Sequence, residues 1–210
     1  MIGIYGGTFD PVHYGHLRAA LEVREDLELR ELRFLPCHQP PHRPPPVADP
    51  QTRLRMLEIA LADADGGFAL DTRELDRGGP SYMVDTLSSI RKETGDEPLC
   101  LILGLDAFLA LPAWHRWRRL FSLAHIVVLQ RPDYDIEYAE DLKHCVEERQ
   151  VTDPTQLAAQ PDGMIYFLEV TQLAIASTSI RRMLREGRSA KYLLPDAVLE
   201  LIHRESLYAK

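Results

Sequence analysis

Short apolar runs alternate along the chain with longer stretches in which apolar and polar residues mix. This is the pattern of a parallel sheet with helices between its strands. Met1–Tyr5, Leu32–Pro36, Phe68–Asp71, Leu99–Gly104, Ile126–Leu129 and Met164–Leu168 predict strands. Leu17–Leu27, Gln51–Asp63, Tyr82–Glu93 and Ala139–Arg149 predict the helices between them. Gly6-Gly7 reads as the stop of the first strand, and Asp49 as the N-cap of the helix that Pro50 opens. Further on, the hydroxyl cluster Ser177-Thr178-Ser179 precedes an Ile-Met-Leu helical pattern, with Gly187 placed to end it. A last short helix is expected from Pro195 to about His203. With no repeat and no linker, the expectation is one α/β domain over residues 1–210, helical from about 177 to 210.

Two stretches break the pattern. Pro36–Pro50 carries prolines at 36, 40, 41, 44, 45, 46 and 50, which excludes a helix or an interior strand. A loop this long in a compact domain is more often a substrate loop than filler. Gln150–Asp162 is polar, holds Pro154 and Pro161, and reads as a surface excursion.

Composition narrows the partners. A net charge of −8 argues against a protein that coats nucleic acid, but local cations suffice for a small anionic substrate. The three cysteines form no C-x-x-C pair, which offers no disulfide framework or zinc knuckle and suits a reducing compartment. No apolar run approaches the ~18 residues of a membrane span, and a cytoplasmic protein is expected.

The candidate chemistry is concentrated in Gly6-Gly7-Thr8-Phe9-Asp10-Pro11-Val12-His13-Tyr14-Gly15-His16. Glycines at a strand end let backbone approach an anion unobstructed. A helix starting just afterwards would turn its unpaired N–H groups and positive dipole end toward phosphate. His13 and His16, three apart, would share one face of its first turn. No Gly-Lys-Ser/Thr follows, and the run does not fit Gly-x-Gly-x-x-Gly, so a P-loop and a dinucleotide fingerprint are both excluded.

The Thr8-to-His16 run resembles the Thr/Ser-x-x-His-x-Gly-His element of the nucleotidylyltransferase superfamily, and Ile175-Ala176-Ser177-Thr178-Ser179-Ile180-Arg181 resembles its second, C-terminal mark. Within it, three segments resemble the bacterial nicotinate-nucleotide adenylyltransferase family. They are Pro40-Pro41-His42-Arg43, Ser81-Tyr82-Met83-Val84-Asp85-Thr86-Leu87, and Gly104-Leu105-Asp106 followed by Trp114 and Trp117. Arg43 stands where that family commonly has Lys, Met83 where it has Thr, and Ala176 where it often has Ser.

The resemblance implies a Rossmann-like three-layer fold with a mostly parallel central sheet. It also implies adenylyl transfer from ATP to nicotinate mononucleotide, with Mg²⁺ held mainly by the substrate phosphates and no nucleic acid or membrane as partner. On the same ground Gly6, Gly7, Thr8, His13, His16, Gly104, Asp106, Ser177, Thr178 and Arg181 would hold ATP. His16 would serve the α-phosphate and His13 the β/γ side, with Thr8 beside them. His42 and Arg43 would close over the phosphates, and Trp114 would stack on the pyridine. Tyr82, Met83 and Thr86 would form the rest of the pyridine site, with backbone amides of Tyr82 and Thr86 toward a carboxylate. Two alternatives remain open on the sequence: a sister transferase acting on phosphopantetheine or an alcohol phosphate, and a nucleotide sensor without turnover.

Overall fold

The computed structural model describes residues 1–209 apart from 42, 43, 63, 65, 131–137 and 172. Its centre is a seven-stranded sheet in the order β3-β2-β1-β4-β5-β7-β6. The strands are β1 (Ile2–Gly7), β2 (Glu31–Pro36), β3 (Phe68–Leu70), β4 (Leu99–Gly104), β5 (His125–Gln130), β6 (Gln150–Val151) and β7 (Ile165–Glu169). Every neighbouring pair is parallel. The helices are α1 (Tyr14–Asp26), α2 (Pro50–Leu61), α3 (Arg73–Arg77), α4 (Met83–Thr94), α5 (Leu105–Leu109), α6 (Glu140–Arg149), α7 (Ser177–Arg185) and α8 (Asp196–Arg204). The α/β, Rossmann-like architecture is the one expected. No helix among the described residues is long and apolar enough to cross a membrane.

Alternation along the strands builds the three layers. In β4, Leu99, Leu101 and Leu103 face one apolar cluster while Cys100 and Ile102 face the other. In β5, Ile126 and Val128 divide from Val127 and Leu129 in the same way. Strands covered on both faces therefore read as near-continuous apolar runs. The cluster of Cys100 and Ile102 takes residues from α1, α2, α7 and α8, and the cluster of Leu99, Leu101 and Leu103 takes them from α4, α6 and the 3₁₀ turn Trp117–Ser122. Trp117 is buried in the latter, a core aromatic.

Several boundaries differ from the sequence expectation. β1 does not stop before Gly6: its ladder with β2 continues through Gly6↔Leu35 and Gly7↔Pro36. The reversal comes two residues later at Phe9, whose φ is +50°. α1 starts at Tyr14 rather than Leu17, which puts His16 inside its first turn and makes His13 its N-cap. Gln150–Asp162 is more than an excursion, since it contributes the edge strand β6 and a 3₁₀ turn, Pro154–Ala159, that buries Leu157. Asp49 caps α2 by accepting from Thr52 N–H at 3.0 Å. Gly187, at φ +68°, closes α7, with Arg188 N–H donating to the Met183 carbonyl.

The strand order reverses between β1 and β4. β1 runs outward to β2 and β3 on one side, and β4 leads to β5, β7 and β6 on the other. Ligands of open parallel sheets lie in the crevice at such a reversal, beyond the carboxyl ends of the strands. Here those ends are Gly7 and Gly104.

Candidate active site

Two cavities open over this crevice, one of 280 Å³ and one of 960 Å³. They share a floor of Tyr5, Gly6, Gly7, Thr8, Gly104 and Ala107. A molecule in one chamber therefore meets a molecule in the other over bare glycine backbone. At Gly104 an added Cβ would meet nothing within 4 Å, so the space above it is open. At Gly7 it would come within 2.7 Å of the buried Phe9 ring, so that ring packs where a side chain would otherwise stand.

The larger chamber gathers all ten residues expected to hold ATP: Gly6, Gly7, Thr8, His13, His16, Gly104, Asp106, Ser177, Thr178 and Arg181. The N-termini of α1, 13 residues long, and α7, nine residues long, both border it. Their positive dipole ends and unpaired amides suit a polyanion. Pro44, Pro45 and Pro46 of the proline-rich loop line its outer side.

The histidines are placed with a defined protonation. Their rings stack with centroids 3.7 Å apart. His16 Nδ1 accepts the His13 backbone N–H at 3.3 Å. A neutral His16 that accepts at Nδ1 carries its proton on Nε2, and so presents a donor to an anion. Burial holds His13 down at about 4, and burial together with the neighbouring His13 holds His16 well below the ordinary value. In the ligand-free protein the pair therefore offers neutral N–H donors rather than two cations. The buried His13 Nδ1 has no partner among the described residues.

The smaller chamber holds the expected pyridine residues Trp114, Tyr82 and Met83, with Pro40 and Pro41 from the loop. α4 opens on it, with Tyr82 as N-cap and Met83 as its first residue. His115, not anticipated from the sequence, packs against Tyr82 with ring centroids 4.6 Å apart and planes tilted by 41°, and lines the same wall.

One assignment is corrected. Thr86 does not reach the chamber: it is fully buried, its hydroxyl donates to Glu74 Oε1 at 2.6 Å, and its amide is spent on the Tyr82 carbonyl. Ser177 lines the larger chamber as expected, and its hydroxyl donates to the Pro11 carbonyl at 3.0 Å, which joins α7 to the turn after β1. Thr178 stands exposed on the chamber wall. His42 and Arg43 lie outside the described residues.

Sequence reasoning missed the supports behind these walls. Arg53 of α2 is fully buried and donates to the carbonyls of Thr8 at 2.8 Å, Cys37 at 2.7 Å and Ala48 at 3.3 Å. It thereby clamps the outgoing ends of β1 and β2 to the start of α2. Glu74 lines the smaller chamber, and burial pushes its carboxyl above the usual carboxylate range. Asp10, in the phosphate turn itself, accepts from the amides of Val47 at 2.8 Å and Ala48 at 3.1 Å. The signal for Arg53 was available: it sits on the same helical stripe as Met56 and Leu57, where a charge must find buried acceptors.

Comparison with known proteins fits this geometry. The family model described as cytidylyltransferase-like matches residues 4–183. A probable nicotinate-nucleotide adenylyltransferase of Pseudomonas entomophila is 50% identical over 208 residues, covering 99% of this chain and 94% of the relative. One from Halorhodospira halophila is 49% identical over 207 residues, with 99% and 94% covered. Among solved structures, the Plasmodium falciparum nicotinic acid mononucleotide adenylyltransferase complexed with NaAD superposes with a TM-score of 0.75 at 17% identity, over 99% of this chain and 96% of that one. At that identity the likeness speaks for the fold.

Proposed function

This chain belongs to the nicotinate-nucleotide adenylyltransferase family of cytidylyltransferase-like proteins, and from that premise we propose that it joins ATP to nicotinate mononucleotide, giving nicotinate adenine dinucleotide and pyrophosphate. The observation that carries the reading is the pair of chambers meeting over Gly6, Gly7 and Gly104. One is phosphate-directed, the other aromatic.

In this reaction a 5′-phosphate oxygen of the mononucleotide attacks the α-phosphorus of ATP. The bond from that phosphorus to the bridging oxygen breaks, and pyrophosphate leaves with the electron pair. A phosphate monoester is largely ionised at neutral pH, so no general base is needed. The protein's task is alignment of two polyanions and stabilisation of the charge that builds on the leaving group. His16, with its Nε2 proton directed by the Nδ1 contact, serves the α-phosphate, and His13 and Thr8 stand beside it. Arg181, Thr178 and the N-terminus of α7 serve the departing phosphates.

Among the described residues no group of three His, Cys, Asp or Glu stands close enough to hold a metal. We expect Mg²⁺ to enter as part of the substrate, on the triphosphate oxygens, because this cation gives up its waters reluctantly and favours phosphate oxygens. Asp106, exposed at the chamber wall, is available to ribose hydroxyls.

In the smaller chamber Trp114 offers a stacking face, and the N-terminus of α4 favours a pyridine carboxylate over a neutral amide. The deciding experiment measures pyrophosphate release from MgATP with nicotinate mononucleotide, nicotinamide mononucleotide and phosphopantetheine in parallel. The acid should be turned over at least tenfold faster than the others, a preference of about 1.4 kcal/mol. Equal turnover of the amide removes the specificity, and faster turnover of phosphopantetheine removes the substrate.

A further inference from the structure

We propose that Tyr208, acting through Asp10, is a positioning residue that keeps Arg181 available to the terminal phosphates of ATP. The inference rests on the reading of the larger chamber as the ATP site.

The Tyr208 hydroxyl donates to Asp10 Oδ1 at 2.6 Å, across 198 positions of sequence. Both side chains are buried, Tyr208 at 7% exposure within the core cluster and Asp10 at 2%. Asp10 sits in the turn between Thr8 and His13, and its carboxylate is the junction of separate chain segments. Oδ2 takes the Val47 amide at 2.8 Å and Oδ1 takes the Ala48 amide at 3.1 Å, which ties down the far end of the proline-rich loop. Arg181 approaches the same residue from α7. Its Nη1 donates to the Asp10 carbonyl oxygen at 2.6 Å but stands 3.6 Å from Oδ2, outside hydrogen-bonding distance. The guanidinium is thus tethered by one bond while it lines the phosphate chamber.

An Arg beside a buried carboxylate tends toward the bidentate fork, in which both partners are satisfied by each other. Here the carboxylate oxygens are already engaged, and Tyr208 supplies the donor that comes from the far end of the chain. Burial and the carboxylate both push the Tyr208 phenol up, so it remains a proton donor at any working pH. Without that hydroxyl, Oδ1 loses a donor in a buried setting, and the cation already tethered to Asp10 is Arg181. A fork closed onto Asp10 would draw the guanidinium back from the chamber. ATP would then lose a phosphate contact, while nicotinate mononucleotide, held in the other chamber, would not.

The variant Tyr208→Phe keeps the buried ring and removes only the hydroxyl. We expect the KM for ATP, and the Kd for ATP from calorimetry, to rise five- to tenfold, with the KM for nicotinate mononucleotide within twofold of the parent. Tyr192→Phe, at a side chain 78% exposed, should leave both unchanged. In an Asp10→Asn background, where no anion competes for Arg181, Tyr208→Phe should add no further loss of ATP affinity. Unchanged ATP parameters in Tyr208→Phe would overturn the proposal. So would a parallel rise of both KM values with a lowered Tm, which is the mark of a structural role alone. Should Asp10→Asn fail to fold, the contrast between the two KM values in Tyr208→Phe still decides. A parent protein that binds ATP but releases no pyrophosphate with nicotinate mononucleotide would instead sink the proposed reaction, and the ATP calorimetry would still read Tyr208.

Discussion

In the proposed reaction His16 would meet an anion as a neutral donor, because its other ring nitrogen is already occupied by the His13 amide at 3.3 Å. Protonating Nδ1 would set two N–H groups against each other, while His13 stacks on the same ring. Histidines depressed in this way behave differently once a triphosphate arrives, since a nearby polyanion favours the charged ring. Nucleotide binding should therefore draw in protons. Calorimetry of ATP binding at pH 6 in buffers of different ionisation enthalpy should show net uptake, reduced in His13→Ala; release or no exchange would contradict the site's electrostatics. Under the proposed reaction, His16→Ala would remove a directed donor at the reacting phosphate. A loss of about 10²–10³ in kcat, the scale of one such donor, should appear in pyrophosphate release with the circular-dichroism spectrum retained. Turnover close to that of the parent would remove His16 from the α-phosphate.

At the scale of elements, legibility followed locality. The bounds of β4 are legible in the sequence because its two faces pack into two apolar clusters, and six residues in a row carry the signal. The sequence pattern of β1 ends before Gly6 because glycine carries no side-chain signal, although the backbone continues the ladder through Gly7. α3 and α5, at five residues each, are too short for helical periodicity to show. Thr8, His13, His16, Gly104, Asp106 and Trp114 were legible because each lies in a compact local motif that the fold delivers to one crevice. Glu74 and Tyr208 are not, since their meaning depends on partners far away in sequence, and for Arg53 the helical stripe shows only that buried acceptors must exist, not which ones. Arg53 gives this a measurable consequence, because α2 is joined to the sheet ends through its guanidinium. Arg53→Met retains length and apolar contact but leaves the Thr8 and Cys37 carbonyls without their donor. A loss of about 3 kcal/mol in chemical denaturation is expected, with kcat falling as the phosphate turn loosens. Asp49→Ala, which removes only the cap of the same helix, should cost about 1 kcal/mol and leave kcat alone. Equal effects of the two would mean that α2 supports the site no more than any helix does.

For the whole molecule, buried neutral histidines link the phosphate site to stability in acid. His13 is held at about 4 against an ordinary value of 6.5. His16 is lowered as well. His125, fully buried at the start of β5, is also lowered, chiefly by burial; its Nδ1 accepts the Met164 amide at 3.1 Å and its Nε2 contacts the Gln160 carbonyl at 2.9 Å. Above pH 6.5 these rings are neutral whether the chain is folded or not, and they place no proton-linked load on the fold. As the pH falls below 6.5 the unfolded chain takes up protons that the folded chain refuses, so stability declines until the folded values are reached. For His13 alone, the interval from 6.5 to about 4 corresponds to about 3 kcal/mol. Asp49 and Glu93, whose hydrogen bonds lower their carboxyls, add losses of the same sign only further into acid, below their ordinary values of 3.8 and 4.5. Glu74, whose carboxyl burial raises, works in the opposite sense because the folded chain takes up that proton first, so the decline between pH 6.5 and 5 is the histidine loss less that offset. On a chain of this size, about 2–3 kcal/mol is a fall in Tm of roughly 5–10 °C. His13→Ala should flatten that segment of the profile in proportion to its share, and saturating ATP should restore part of the lost Tm by binding the protonated folded form. A Tm constant from pH 7 to 5 would mean that the rings titrate freely in the fold, and the neutral-donor account of the phosphate chamber would fall with it.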